Sequence, residues 1–174
     1  MSGTIEHMFV LGIDPGLTRC GFGVVTLTES GGFRAADAGV LETPKEASVE
    51  SRLGALLVDL QQLMAEVKPD VVVVERVFFQ RNAKTAIGVA QASGLAVGVA
   101  AAAGCQVRQF TAQEVKLAVT GYGAAPKQQV QLMVASLCGL GEVPEPADAA
   151  DALGLAITYL LTTRFESHSG LSLA

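Results

Sequence analysis

Four valines in a row, Val71 to Val74, constrain this chain more than any other feature. β-Branched side chains favour extended backbone. A strand that is apolar at every position has no face to give to water, so it lies inside a sheet covered on both sides. The rest of the chain supplies such a sheet and its cover. Met8 to Ile13 is another apolar run, ended by Asp14-Pro15-Gly16, a strand running into a turn. Gly21 to Thr28 and Phe33 to Leu41 read as strands joined through Ser30-Gly31-Gly32, and Gln106 to Phe110 as a short fifth strand. Ser48 to Val67 places Leu53, Leu56, Leu57, Leu60, Leu63 and Met64 at helical spacing and stops before Pro69. Further helices are expected over Ala83 to Ala103, from the capping box of Thr111 and Glu114 to about Val119, over Lys127 to Leu137 and over Ala147 to Thr163. Three meandering strands followed by alternating helix and strand predict an α/β fold, a mixed five-stranded sheet flanked by helices. With 174 residues and no internal repeat or linker, one domain over 1–174 is expected.

Composition excludes several classes. Cys20, Cys105 and Cys138 are far apart, which argues against a disulfide framework or a zinc site and for a reducing cytoplasm. Residues 1–7 lack the basic and apolar regions of a signal peptide. Ala86 to Ala103 is built from small residues interrupted by Gln91 and Ser93, so a packed helix is expected there rather than a membrane span. The net charge is −5, yet between Arg76 and Leu140 six basic residues (Arg76, Arg81, Lys84, Arg108, Lys116, Lys127) face one acid, Glu114. Such a block can bind phosphate if it folds onto one face. The chain has no GxSxG, no GxxxxGKS loop and no GxGxxG opening a helix, and its histidines, His7 and His168, sit near the ends.

Carboxylates at the ends of elements stand out instead. Asp14 ends the first strand and Glu75 the valine strand, so they lie side by side if those strands are neighbours. Taken singly, Asp14 is ordinary turn chemistry and Glu75 a solvated acid leaving the sheet. Asp148 and Asp151 are spaced i, i+3 behind Pro144 and Pro146, on one face of a helix start. Helix-dipole compensation would account for them, but Asp151 borders the apolar stripe Leu153, Leu155, Ile157 and Leu160. Four gathered carboxylates either rise in pKa or take up a divalent cation. Oxygen ligands alone select Mg²⁺ or Mn²⁺, and a pair of such ions can activate a water and stabilise the leaving oxygen of a phosphodiester.

The residues resemble a known family. GIDPGLTRCGFGVV is similar to the first strand and hairpin of the RuvC Holliday-junction resolvases, and VVVVERVFFQRNAKTAIGVAQASG to their fourth strand, loop and central helix. TGYGAAPKQQV and ADAADALGLAIT resemble their later motifs, so the likeness runs from about Met8 to Arg164. It implies an RNase H-like fold, a homodimeric nuclease that nicks four-way DNA junctions symmetrically in recombination and repair, and catalytic, metal-holding positions at Asp14, Glu75, Asp148 and Asp151. The resemblance places Phe78 at the position of an aromatic that stacks on an unpaired base, with Phe79 the second candidate, and Lys116 and Lys127 near the scissile phosphate. Arg76, Arg81 and Lys84 surround the two phenylalanines and can hold phosphates. It also implies Mg²⁺, two per subunit with Mn²⁺ substituting, and a RuvA–RuvB branch-migration partner. Gly94 and Gly98 make a small-residue face on the 83–103 helix that can pack on the sheet or on a second copy in a C2 dimer. Residues 1–7 and 166–174 are expected to be loose ends. Two alternatives remain: a kinase-type or actin-like nucleotide-binding domain, whose first phosphate motif GIDPGLTRCG also resembles, and a non-catalytic junction-binding protein.

Overall fold

The computed structural model describes residues 8–77 and 83–169, with side chains described over 8–77 and 86–165. Strand β1 (Val10–Asp14) is central. On one side it pairs antiparallel with β2 (Arg19–Leu27), which pairs antiparallel with β3 (Phe33–Glu42). On the other side it pairs parallel with β4 (Val71–Glu75), and β4 pairs parallel with β5 (Gln106–Phe110). The order β3-β2-β1-β4-β5 is the mixed five-stranded sheet expected. Helices α1 (Val49–Val67) and α2 (Ala83–Ala102) cover one face. The other is covered by α3 (Ala112–Thr120), α4 (Lys127–Leu137) and α5 (Ala147–Ser169).

The valine run is divided between the two layers. Val72 and Val74 join Leu56, Leu60, Ala92 and Ala96 from α1 and α2, whereas Val71 and Val73 join Val115, Val134, Leu153 and Ile157 beneath α3 to α5. None of the four is more than 2% exposed. Burying such side chains contributes roughly 1.5–3 kcal/mol each, which makes β4 a fixed reference for the residue that follows it.

Helix α5 lies unusually close to the sheet, because β1 and β2 present glycines beneath it. Gly12 and Gly23 are cross-strand partners, and Gly21 is the partner of Asp14. A Cβ at Gly12 would overlap the carbonyl oxygen of Ala152, one at Gly21 the carbonyl oxygen of Asp148, and one at Gly23 would come within 2.7 Å of the Leu153 nitrogen. The helix answers with Ala149, Ala150, Ala152 and Ala156, all buried. Its end departs from the sequence expectation: α5 continues past Thr163 to Ser169, into the segment expected to be loose. No breaker intervenes, and Thr158, Thr162 and Thr163 turn their hydroxyls back onto carbonyls four residues earlier, so the chain has no local signal to stop. Among the described residues no helix is long and apolar enough to cross a membrane.

Candidate active site

Strand register brings the first two acids together. Ile13 is level with Val74 across the parallel β1–β4 pair, so Asp14 and Glu75, each the last residue of its strand, leave the same sheet edge side by side. Ile13 and Val74 point towards α1 and α2, and alternation therefore turns Asp14 and Glu75 towards α5. The glycine floor then sets the depth of the third and fourth acids. Because the Asp148 backbone rests on Gly21, directly across from Asp14, the first turns of α5 deliver Asp148 and Asp151 to the same edge.

Asp14, Glu75 and Asp151 line one open cleft of about 350 Å³, together with Lys116 from α3 and Lys127 from α4. Helix α3 is fixed by the expected capping box: the Thr111 hydroxyl accepts from the Glu114 amide at 3.1 Å, and the Glu114 carboxylate accepts from the Thr111 amide at 2.7 Å. Lys127 Nζ reaches Asp151 Oδ2 at 2.6 Å. Asp148 stands at the rim, where Arg19 Nε donates to its Oδ2 at 2.8 Å and Arg19 NH1 contacts Glu42 Oε1 at 2.5 Å.

The electrostatics are strained. Burial, then the charges of Glu75 and Asp151 and a hydrogen bond with Glu75, push the Asp14 carboxyl up to about 8. Glu75 is also raised, chiefly by burial, although its hydrogen bond with Asp14 and the nearby Lys127 charge oppose the rise. Burial and crowding thus disfavour the doubly ionised pair. The Lys127 ammonium is raised, first by its hydrogen bond to Asp151.

These residues fit a hard cation by their chemistry. The donors are all carboxylate oxygens, as Mg²⁺ or Mn²⁺ requires, and a cation would offset the burial and repulsion that push Asp14 up. As the side chains stand, no three His, Cys, Asp or Glu among the described residues converge on a metal-sized point. An ammonium, Lys127, already takes the cation position beside Asp151.

The expected basic face is divided. Lys116 and Lys127 line the acidic cleft, but Arg76 folds along the outer edge of β5, where its NH2 donates to the Gln109 carbonyl at 3.3 Å. Arg76 lines a separate groove with Arg108, Thr162 and Thr163. The reason is register: Arg108 is on an edge strand beside Val73, away from the strand termini where the acids collect. Phe78, Phe79 and Arg81 lie outside the described residues, as does the side chain of Lys84.

Two arginines that frame the site were not singled out from sequence. Arg19 is described above. Arg52, from α1, donates to Thr43 Oγ1 at 3.0 Å and Thr18 Oγ1 at 2.5 Å, and Thr43 Oγ1 donates to the Leu17 carbonyl at 2.5 Å. This network braces the turn that follows Asp14. Their partners lie between 9 and 129 residues away, so no local spacing marks them.

Comparison with known proteins places the chain in a family. The family model for crossover junction endodeoxyribonuclease RuvC matches residues 10–159. The chain is 48% identical over 160 residues to the RuvC of Syntrophomonas wolfei, covering 92% of each protein. It is 51% identical over 150 residues to that of Leifsonia xyli, covering 86% of this chain and 72% of the relative. The structure of Thermus thermophilus RuvC in complex with Holliday junction substrate superposes with a TM-score of 0.85 at 35% identity, covering 92% of this chain and 98% of that one. The yeast mitochondrial Holliday junction resolvase shares the fold, with a TM-score of 0.69 at 15% identity over 96% of this chain and 85% of that one. The chain belongs to the RuvC family of crossover junction endodeoxyribonucleases.

Proposed function

We propose that this chain, as one nuclease domain over 1–174, resolves Holliday junctions as a homodimer, placing symmetric metal-dependent nicks in opposed strands during recombination and repair. The observation that carries the reading is the cleft itself. Asp14, Glu75 and Asp151 come from three different elements and meet beside Lys116 and Lys127 in a chain of this family. The same family match does not favour a nucleotide-binding domain.

Asp14, Glu75, Asp148 and Asp151 are the residues that would hold Mg²⁺, two ions per subunit with Mn²⁺ able to substitute. Such ions, when bound, lower the pKa of the attacking water and neutralise charge on the phosphate. The protein's own part is positional. Asp14 and Glu75 are fixed by paired strands, and both would face such ions as carboxylates. Lys127 leaves Asp151 and, with Lys116 on the opposite helix, holds the scissile phosphate by charge-assisted hydrogen bonds. Phe78, with Phe79 as second candidate, stacks on an unpaired base at the crossover, and Arg76, Arg81 and Lys84 hold backbone phosphates.

The dimer is assigned to α2. Gly94 and Gly98 face open space rather than the sheet, in an apolar groove with Leu57, Met64 and Leu95. A RuvA–RuvB complex is the partner proposed for branch migration, in the cytoplasm.

The test is cleavage of a synthetic mobile four-way junction in Mg²⁺ by wild type and Asp14→Asn. Paired symmetric nicks are expected from wild type, and about 10²–10³-fold slower nicking from the variant, the size of losing one charge-stabilising group at a transition state. Junction binding should be retained. Binding without nicks by wild type, in Mg²⁺ and in Mn²⁺ on several junction sequences, would leave a binding protein rather than a nuclease.

A further inference from the structure

Among the described residues, Asp148 and Asp151 each have one basic ion-pair partner, the first outside the cleft and the second within it. Lys127 lines the cleft and reaches Asp151 from within it. Neither Arg19 nor Asp148 lines the cleft: Arg19, the first residue of β2, reaches Asp148 outside it. A cation entering the cleft therefore meets Lys127 in its place but does not meet Arg19.

Strand register explains where Arg19 points. It is the first residue of β2 and the antiparallel partner of Glu42, the last residue of β3. Gly21, two residues on and hence on the same face, carries the Asp148 backbone. The guanidinium is thus placed between Glu42 in the sheet and Asp148 above it. It uses Nε for one carboxylate and NH1 for the other. A planar fork can serve two carboxylates at once, whereas an ammonium is a point charge on a flexible stem. Asp148 is the second residue of α5, in the turn whose backbone amides have no partners within the helix, and it is 32% exposed.

We infer that Arg19 is a positioning residue for Asp148: braced by Glu42, it holds Oδ2 from outside the cleft and so presents the rest of the carboxylate to a divalent cation within it. The inference rests on the metal-dependent reading of the site. Its contribution to folding is small, because Arg19 and Glu42 are 42% and 62% exposed and exposed ion pairs are screened.

The decisive variant is Arg19→Lys, which keeps the charge and loses the fork. Mn²⁺ affinity of the full chain is measured by calorimetry without DNA, alongside junction affinity in Ca²⁺ and the Mg²⁺ dependence of nicking. We expect Mn²⁺ binding to weaken about tenfold, as when a hydrogen-bond partner of a metal ligand is lost. Junction affinity should be unchanged, and nicking should be largely recovered at saturating Mg²⁺. Glu42→Gln should act in the same direction and less strongly, which provides a second reading if Arg19→Lys folds poorly. Mn²⁺ affinity within twofold of wild type in both variants would overturn the inference. So would weakened junction binding with metal affinity intact, which would make Arg19 a phosphate contact, or tighter Mn²⁺ binding by Arg19→Ala, which would make it a competitor for Asp148. A wild type that neither binds Mn²⁺ nor nicks would instead remove the metal-dependent reading.

Discussion

Glycine does opposite work on the two sides of this sheet. Beneath α5, Gly12, Gly21 and Gly23 are filled by the backbone of Asp148, Ala152 and Leu153, so the missing Cβ atoms are used up inside the fold. On α2, a Cβ at Gly94 or Gly98 would meet nothing within 4 Å, while Ala92, Ala96 and Ala100 on the adjoining stripe are buried. The first region is a finished contact, and its product is the depth at which Asp148 and Asp151 stand over Asp14 and Glu75. The second is a smooth apolar face with room for a close neighbour. A small-residue pattern alone does not distinguish the two.

The largest effect that would test this contrast is Gly12→Ala. The new methyl overlaps the Ala152 carbonyl, which cannot yield unless α5 lifts from the sheet. We expect a loss of about 4 kcal/mol or more in urea unfolding, at the upper end of overpacking costs, with nicking lost alongside. A variant that unfolds like wild type would mean that α5 is not seated as described.

A smaller effect separates packing from charge within the finished contact. Asp14 moves from 3.8 to about 8 on folding, so between these values the native chain holds a proton that the unfolded chain has released. Stability of the metal-free protein must then fall as pH rises from about 4 to 8, by several kcal/mol, and the raised Glu75 acts in the same direction. Thermal unfolding in chelator across that range should show the decline, and Asp14→Asn should flatten it. A flat wild-type profile would show that the carboxylates are not crowded.

The smallest expected effect lies on α2. Gly98→Ala adds a methyl to open space and a better helix former, so the subunit should gain up to about 1 kcal/mol. If two copies meet at this face, the same methyl should weaken the dimer in sedimentation equilibrium. A dimer indifferent to Gly98→Ala and to Gly98→Glu would place the subunit contact elsewhere.

Much of the fold was legible because the signals are local. Continuous apolar runs, the Thr111 capping box and the periodic leucines each report on neighbours within a few residues, and the elements they predicted are present. The extension of α5 to Ser169 was missed because nothing nearby says stop. The acids could be picked out as residues ending strands or opening a helix, and the resemblance grouped them. That β1 and β4 are neighbours, which sets Asp14 against Glu75, was only a condition in the sequence.

The sequence by itself determined which segments are strands and helices, and which side chains are candidates for chemistry, carboxylates and lysines rather than a protein nucleophile. Those properties reside in side-chain type and spacing along the chain. Only the tertiary structure decided that Lys127 enters the cleft while Arg76 turns away along β5, that Arg19 and Arg52 brace the site from outside, and that the Asp14 carboxyl is pushed up. Each depends on distances between residues far apart in sequence and on the burial they share, and charge interactions are set by those two quantities.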